Sequence, residues 1–107
     1  MPKKTMPKRL TIEITGGDIR NGQRGSPYSC PIAMSLGRVA YDRLGQDVDH
    51  IAVSTHASVY VKDRPAYHYR LTGKTLKFLC DFDDYGGKLK VKPGRYTFYL
   101  SEAEWTK

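Results

Sequence analysis

The sequence predicts an α+β fold, a small antiparallel or mixed sheet of about five strands with two helices packed on one face. Three observations predict it. Apolar residues alternate in several short stretches, they repeat at helical spacing in two longer ones, and glycine or proline pairs separate the stretches. Residues 9–107 read as one domain, preceded by a basic leader over residues 1–8.

Leu10, Ile12 and Ile14 alternate with Thr11, Glu13 and Thr15, the pattern of a strand with one buried face, and Gly16-Gly17 is expected to stop it. A polar segment, DIRNGQRGSPYSCP, follows over residues 18–31. Pro31 then opens a helix in which Ile32, Leu36 and Val39 share a face, with Gly45 as terminator. Ile51 and Val53, then Val59 and Val61, predict two strands joined as a hairpin across STHAS. Lys62 to Pro65 marks a second turn, and beyond it Tyr67, Tyr69 and Leu71 share one strand face opposite His68 and Arg70. In TLKFLCDFDDYGG the period changes again: Leu76, Leu79 and Phe82 predict a second helix, capped by Thr75 and stopped by Gly86-Gly87. The stretch KLKVKPGRYTFYL returns to alternation, turns at Pro93-Gly94, and sets Tyr96, Phe98 and Leu100 on one face. Trp105 has two expected fates, packed on the body or free.

A chain of 107 residues with 39% apolar and 11% aromatic content has room for one core that needs neither metal nor disulfide support. Cys30 and Cys80 sit in apolar contexts with no signal peptide before them, so they read as free thiols in a reducing cytoplasm. No apolar run approaches the roughly 18–20 residues that span a bilayer, so no membrane partner is expected. The formal net charge of +7 favours anionic partners. Lys3, Lys4, Lys8 and Arg9 contribute to it near the start, where they read either as a frayed, solvated end or as an arm that touches phosphate.

The segment before the first long helix is the candidate site. With Ser29 or Cys30 as N-cap and Pro31 in the first turn, backbone N–H groups at the helix start favour an anion. Arg20 and Arg24 supply planar donors for phosphate or carboxylate, Asn21 and Gln23 pair with base or sugar edges, and Tyr28 offers a stacking face. Asp18, Asn21 and Gly22 also make ordinary turns, Ser-Cys-Pro is a sound helix entry, and exposed arginines need no ligand, so both readings stand. Neither GxGxxG nor GxxxxGK[ST] occurs, and the histidines and cysteines lack CxxC or HxxxH spacing, so no cofactor and no metal is expected. Asp81, Asp83 and Asp84 read as a solvated helix face. Cys30 at a helix start is a nucleophile only if the fold brings His50, His56 or His68 to it, and a small buried thiol is the commoner use. Tyr60, Tyr67, Tyr69, Tyr96 and Tyr99 fall on predicted strands among Lys62, Arg64, Arg70, Lys90, Lys92 and Arg95, a composition suited to nucleic acid. Alternate strand tyrosines also belong in a core or at its rim.

Asp18, Ile19, Gly22, Gly25, Cys30, Pro31, Ala33 and Leu36, with Phe78, Phe82 and Asp83 further on and Pro93, Tyr96 and Phe98 in the closing strand, carry a resemblance. The pattern DIxxGxxG…CP[IV]AxxL…FxxxFD resembles that of small uncharacterised proteins encoded by phages and prophages. This chain departs from it in its lysine-rich start and in extra residues around KDRPAYH. The resemblance implies the cytoplasm of a bacterial host and, by analogy, action through binding. The expectation is a non-enzymatic protein that sequesters an anionic nucleotide-like ligand, a host defence signal, and so inhibits defence. The alternative is direct binding of nucleic acid or of an acidic host or CRISPR-type effector protein. A ligand enclosed between subunits would make the protein a homo-oligomer, although no self-complementary patch stands out in the sequence.

Overall fold

The computed structural model describes residues 6–84 and 86–101. Its sheet has five strands: β1 (Arg9–Ile14), β2 (Val48–Val53), β3 (His56–Val61), β4 (Arg64–Arg70) and β5 (Gly94–Leu100). They run antiparallel in the order β1-β5-β4-β3-β2. Four helices accompany them: α1 (Gly16–Asn21), α2 (Pro31–Leu44), α3 (Gly73–Asp83) and the single turn α4 (Gly87–Lys90). The fold is α+β, as the alternation and helical spacing predict. Among the described residues no helix is long and apolar enough to cross a membrane.

The alternation decides the layers. Register places Leu10 opposite Phe98, Ile12 opposite Tyr96, Ala57 opposite Tyr69 and Ile51 opposite Val59, so one phase of every strand points to the same face. That face is covered by α2, through Ile32, Leu36 and Ala40, and by α3, through Phe78, Leu79 and Phe82, in one buried cluster. Gly37 faces β2, where a Cβ would meet Ile51 at 3.7 Å, an ordinary contact, so the packing of α2 on β2 does not depend on glycine there. Tyr69 is fully buried, burial raises its hydroxyl pKa, and the hydroxyl donates to the Pro7 carbonyl at 2.6 Å. Met6 is buried in the same core and Leu100 N–H donates to the Lys8 carbonyl, so residues 6–8 of the basic leader are docked. The earlier lysines of the leader and Trp105 lie outside the described residues.

Several boundaries differ from the sequence expectation. Gly16-Gly17 do end β1, but they do so as the first turn of α1. Thr15 caps α1 in a box, its hydroxyl accepting from Asp18 N–H while the Asp18 carboxylate accepts from Thr15 N–H at 2.9 Å. The N-cap of α3 is Thr72, not Thr75. Thr75 is buried in the first turn, where its hydroxyl donates to the Thr97 carbonyl at 2.8 Å. α3 stops at Asp83, and Gly86, in the left-handed region at φ 71°, starts α4, so Lys88 to Lys90 are helical rather than extended.

The sheet is two pieces joined at a short seam. The meander β2-β3-β4 meets the pair β5-β1 through only Tyr69–Leu100 and Arg70–Tyr99, extended by Ser101 N–H donating to the His68 carbonyl at 2.9 Å. β4 ends there, which leaves the edge of β5 from Gly94 to Thr97 without a strand beside it. The start of α3 fills part of that gap through Thr75, and Lys74 donates to the Arg95 carbonyl at 3.3 Å.

Candidate ligand-binding surface

The polar segment that the sequence singles out is the end of α1 followed by a loop over residues 22–30; its Asp18 carboxylate and several backbone groups are used within the protein, whereas the side chains of Arg20, Asn21, Gln23 and Tyr28 make no hydrogen bond among the described residues. Asp18 is buried and accepts two hydrogen bonds from Arg38 at 2.6 Å each, a bidentate pair that also ties Arg38 to the Glu13 carbonyl. Burial opposes ionisation of Asp18, but the bonds from Arg38 and Thr15 outweigh it and hold the carboxyl below its ordinary pKa. Gly22 packs where a Cβ would lie 2.7 Å from the Pro31 ring, which presses the end of α1 onto the start of α2.

Arg20 is exposed, lies beside Gly16 and Gly17, and its carbonyl accepts from Lys88 at 2.6 Å. Asn21, exposed, is the last residue of α1. Gln23 N–H donates to the Ser29 carbonyl at 2.9 Å, closing the loop on itself. Gly25 N–H is taken by the Asp83 carboxylate at 3.0 Å, and Arg24 reaches the Asp84 carbonyl at 3.5 Å. Tyr28 is 63% exposed but sits away from the arginines, edge-on to His50 at 5.8 Å.

The start of α2 is not the open anion site that a Ser-Cys-Pro entry suggests. Cys30 is the N-cap and is 1% exposed; its sulfur accepts from Ala33 N–H, and Pro31, Ile32 and Ala33 are all buried around it. Burial pushes the Cys30 thiol up, against the opposing effect of backbone N–H groups, so the expected depression at a helix start is reversed. Cys30 is a capping core residue, and Cys80 is the exposed thiol.

The opposite phase of the strands builds a different surface. Across the face opposite the one that α2 and α3 cover, register aligns Arg9 of β1, Tyr99 of β5, Arg70 of β4 and His56 of β3 in one row. Tyr99 is 50% exposed. His56 stacks on His68 at 4.5 Å and 16°, and His68 bonds Ser58 at 2.7 Å. His50 stacks on Tyr60 at 4.3 Å and 15°. Next to Tyr99, Arg95 and Thr97 continue the face along β5, and Thr97 bonds Thr11 at 2.9 Å. Among the described residues, Arg9, Arg70 and Arg95 form no ion pair and their guanidinium groups make no hydrogen bond.

A polar cleft of about 260 Å³ opens at the mouth of the seam, lined by Thr72, Gly73, Lys74, Arg95, Thr97 and Tyr99. Three larger clefts lie elsewhere, one of them, of about 270 Å³, lined by Arg24, Phe82, Gly86, Gly87, Lys88 and Leu89. In the one of about 360 Å³ between α3 and residues 90–93, Lys77 pairs with Asp81 and Lys90 with Asp84. In the one of about 550 Å³ beside β2, Arg38 is held by Asp18.

The structure sorts the strand tyrosines. Tyr69 and Tyr96 are core and Tyr67 packs against it, whereas Tyr60 and Tyr99 belong to the open face. The sequence expectation sets Arg9 in the basic leader and His56 only beside Cys30, and it does not single out Thr97; the structure brings all three to this face. Their signal is the polar phase of alternation, which shows its alignment only once register is known. No group of histidine, cysteine or carboxylate residues able to hold a metal occurs among the described residues. Comparison with protein-family models, with curated proteins and with solved structures finds no match for this chain.

Proposed function

We propose that this protein binds nucleotide-like anionic ligands on its open sheet face without transforming them. The observation that carries the reading is the row Arg9, Tyr99, Arg70, His56, in which an exposed ring lies between two guanidinium groups with no partner among the described residues. A base stacks on Tyr99 while its phosphate is met by Arg9 or Arg70, or by Arg95 in the adjoining cleft. Cys30, the thiol weighed as a nucleophile, is buried in the core and not part of this surface. In the phage setting that the resemblance implies, such binding removes a nucleotide signal of the host or covers its nucleic acid.

The test is calorimetric titration with ATP, AMP and a cyclic dinucleotide, on the parent protein and on Tyr99→Ala/Arg70→Ala. The double variant is expected to lose affinity by about tenfold or more, with a melting temperature close to the parent because both side chains are exposed. Parent-like binding by a folded double variant, or no binding of any nucleotide by the parent, removes the reading.

A further inference from the structure

We propose that the occupant of the open face is a single strand of nucleic acid; this rests on reading the face as a nucleotide-binding surface and extends it from one nucleotide to several. The rings are spread, not gathered. Tyr99 lies on β5, the His56–His68 pair bridges β3 and β4, and the His50–Tyr60 pair bridges β2 and β3. Three stacking positions are thus distributed over four adjacent strands, β5-β4-β3-β2, about 14 Å across at the usual spacing between strands. One nucleotide covers one of them.

The charges gather around Tyr99: Arg9, Arg70 and Arg95 stand near it on three strands, and Glu13, opposite Arg95, is the only carboxylate on this face of β1 and β5. A ligand that brings phosphate to these cations and bases to the spread rings carries more than one base. Both long helices pack their apolar sides on the other face of the sheet, and they reach this one only at its margins, the start of α3 beside Tyr99 and α2 in the cleft that His50 lines. A duplex keeps its bases paired and stacked internally, and cannot offer them to these rings. Stacking and backbone charge also predict little preference for sequence, because every base has a π-face.

The experiment is fluorescence anisotropy of 5′-labelled oligothymidylates of two, four and eight nucleotides at fixed salt, with dTMP as competitor and a duplex of matched length as control. Affinity is expected to rise by about tenfold or more from dimer to octamer. Each of Tyr99→Ala and His56→Ala is expected to weaken octamer binding by about tenfold, and three phosphate contacts give a log–log salt slope of about −2. Equal affinity of dTMP and octamer overturns the strand while leaving the nucleotide reading intact. Equal affinity of duplex and single strand also overturns it, because charge alone then accounts for binding. Failure of both dTMP and every oligomer removes the nucleotide reading and this inference together.

Discussion

The loop over residues 22–30 and the open face of the sheet share arginine, tyrosine and hydroxyl groups, yet the two differ in how much of their polar surface is engaged within the protein. In the loop, Gly25 N–H meets Asp83, Gln23 N–H meets Ser29, the Pro27 carbonyl accepts from Val53 N–H at 2.8 Å, and Arg24 turns to Asp84. On the sheet, three guanidinium groups and the Tyr99 ring stand without such partners among the described residues. Residue type states a capacity to bind, and the inventory of internal partners states whether that capacity is already used. By that measure the backbone of the loop is a strap that fastens α1 and α2 to β2 and α3, and the sheet face keeps its guanidinium groups unengaged among the described residues, as the proposed function requires.

The largest contrast to test lies at the end of the strap. Cys30 is sealed beneath Pro31 and Ile32 with its pKa raised, while Cys80 is exposed on α3. Alkylation of Cys30 has to wait for local opening, which for a core position costs much of the global stability, so Cys80 is expected to react faster by a factor on the order of 10³. Peptide mass spectrometry after timed exposure to iodoacetamide measures both at once. Comparable rates would mean that the start of α2 is open after all, and the loop would return as a candidate site.

The second contrast concerns Asp18, which holds the strap's root. Asp18→Asn removes the charge that receives Arg38 and half of the capping box at Thr15. The expected cost is about 2 kcal/mol at pH 7, kept below the range for a fully buried pair because the Arg38 side chain is half exposed. The sign with pH follows from the lowered pKa. Asp18 contributes stability above the unfolded carboxyl value of about 4 and loses it as pH falls through the lower folded value. Urea melts of parent and variant should therefore converge as pH drops from 7 towards 2. A gap that stays constant with pH would assign the loss to packing and not to the ion pair.

The fold was legible because period is a local property. Leu10, Ile12 and Ile14 alternate whatever they pair with, and Ile32 and Leu36 share a helical face without reference to the rest of the chain. Where the reading slipped, a local rule met a tertiary one. Thr75 looks like a cap but is drawn into the core by the Thr97 carbonyl, which the early end of β4 leaves open. Asp18 looks like a turn former, yet its partner is twenty residues away on α2. The open face was the least legible feature, because Arg9, His56, Arg70 and Tyr99 come from four strands and only register aligns them.

The smallest expected effect separates the two regions most directly. Arg20 and Arg24 are exposed, one lying along Gly16 and Gly17 and the other making a single long bond to a carbonyl. Arg20→Ala/Arg24→Ala is expected to change stability by no more than about 0.5 kcal/mol. It lowers the net charge from +7 to +5, counting each arginine as one. Ligand affinity should then fall only by the general weakening that the loss of two distant charges brings, and that weakening should vanish at high ionic strength. Tyr99→Ala leaves the net charge untouched, so its effect on affinity should persist at high salt. Titrating both variants at two salt concentrations distinguishes a ligand held at the sheet from one held at the loop: a salt-resistant loss in the arginine variant, with Tyr99→Ala behaving like the parent, would reverse the assignment of the two regions.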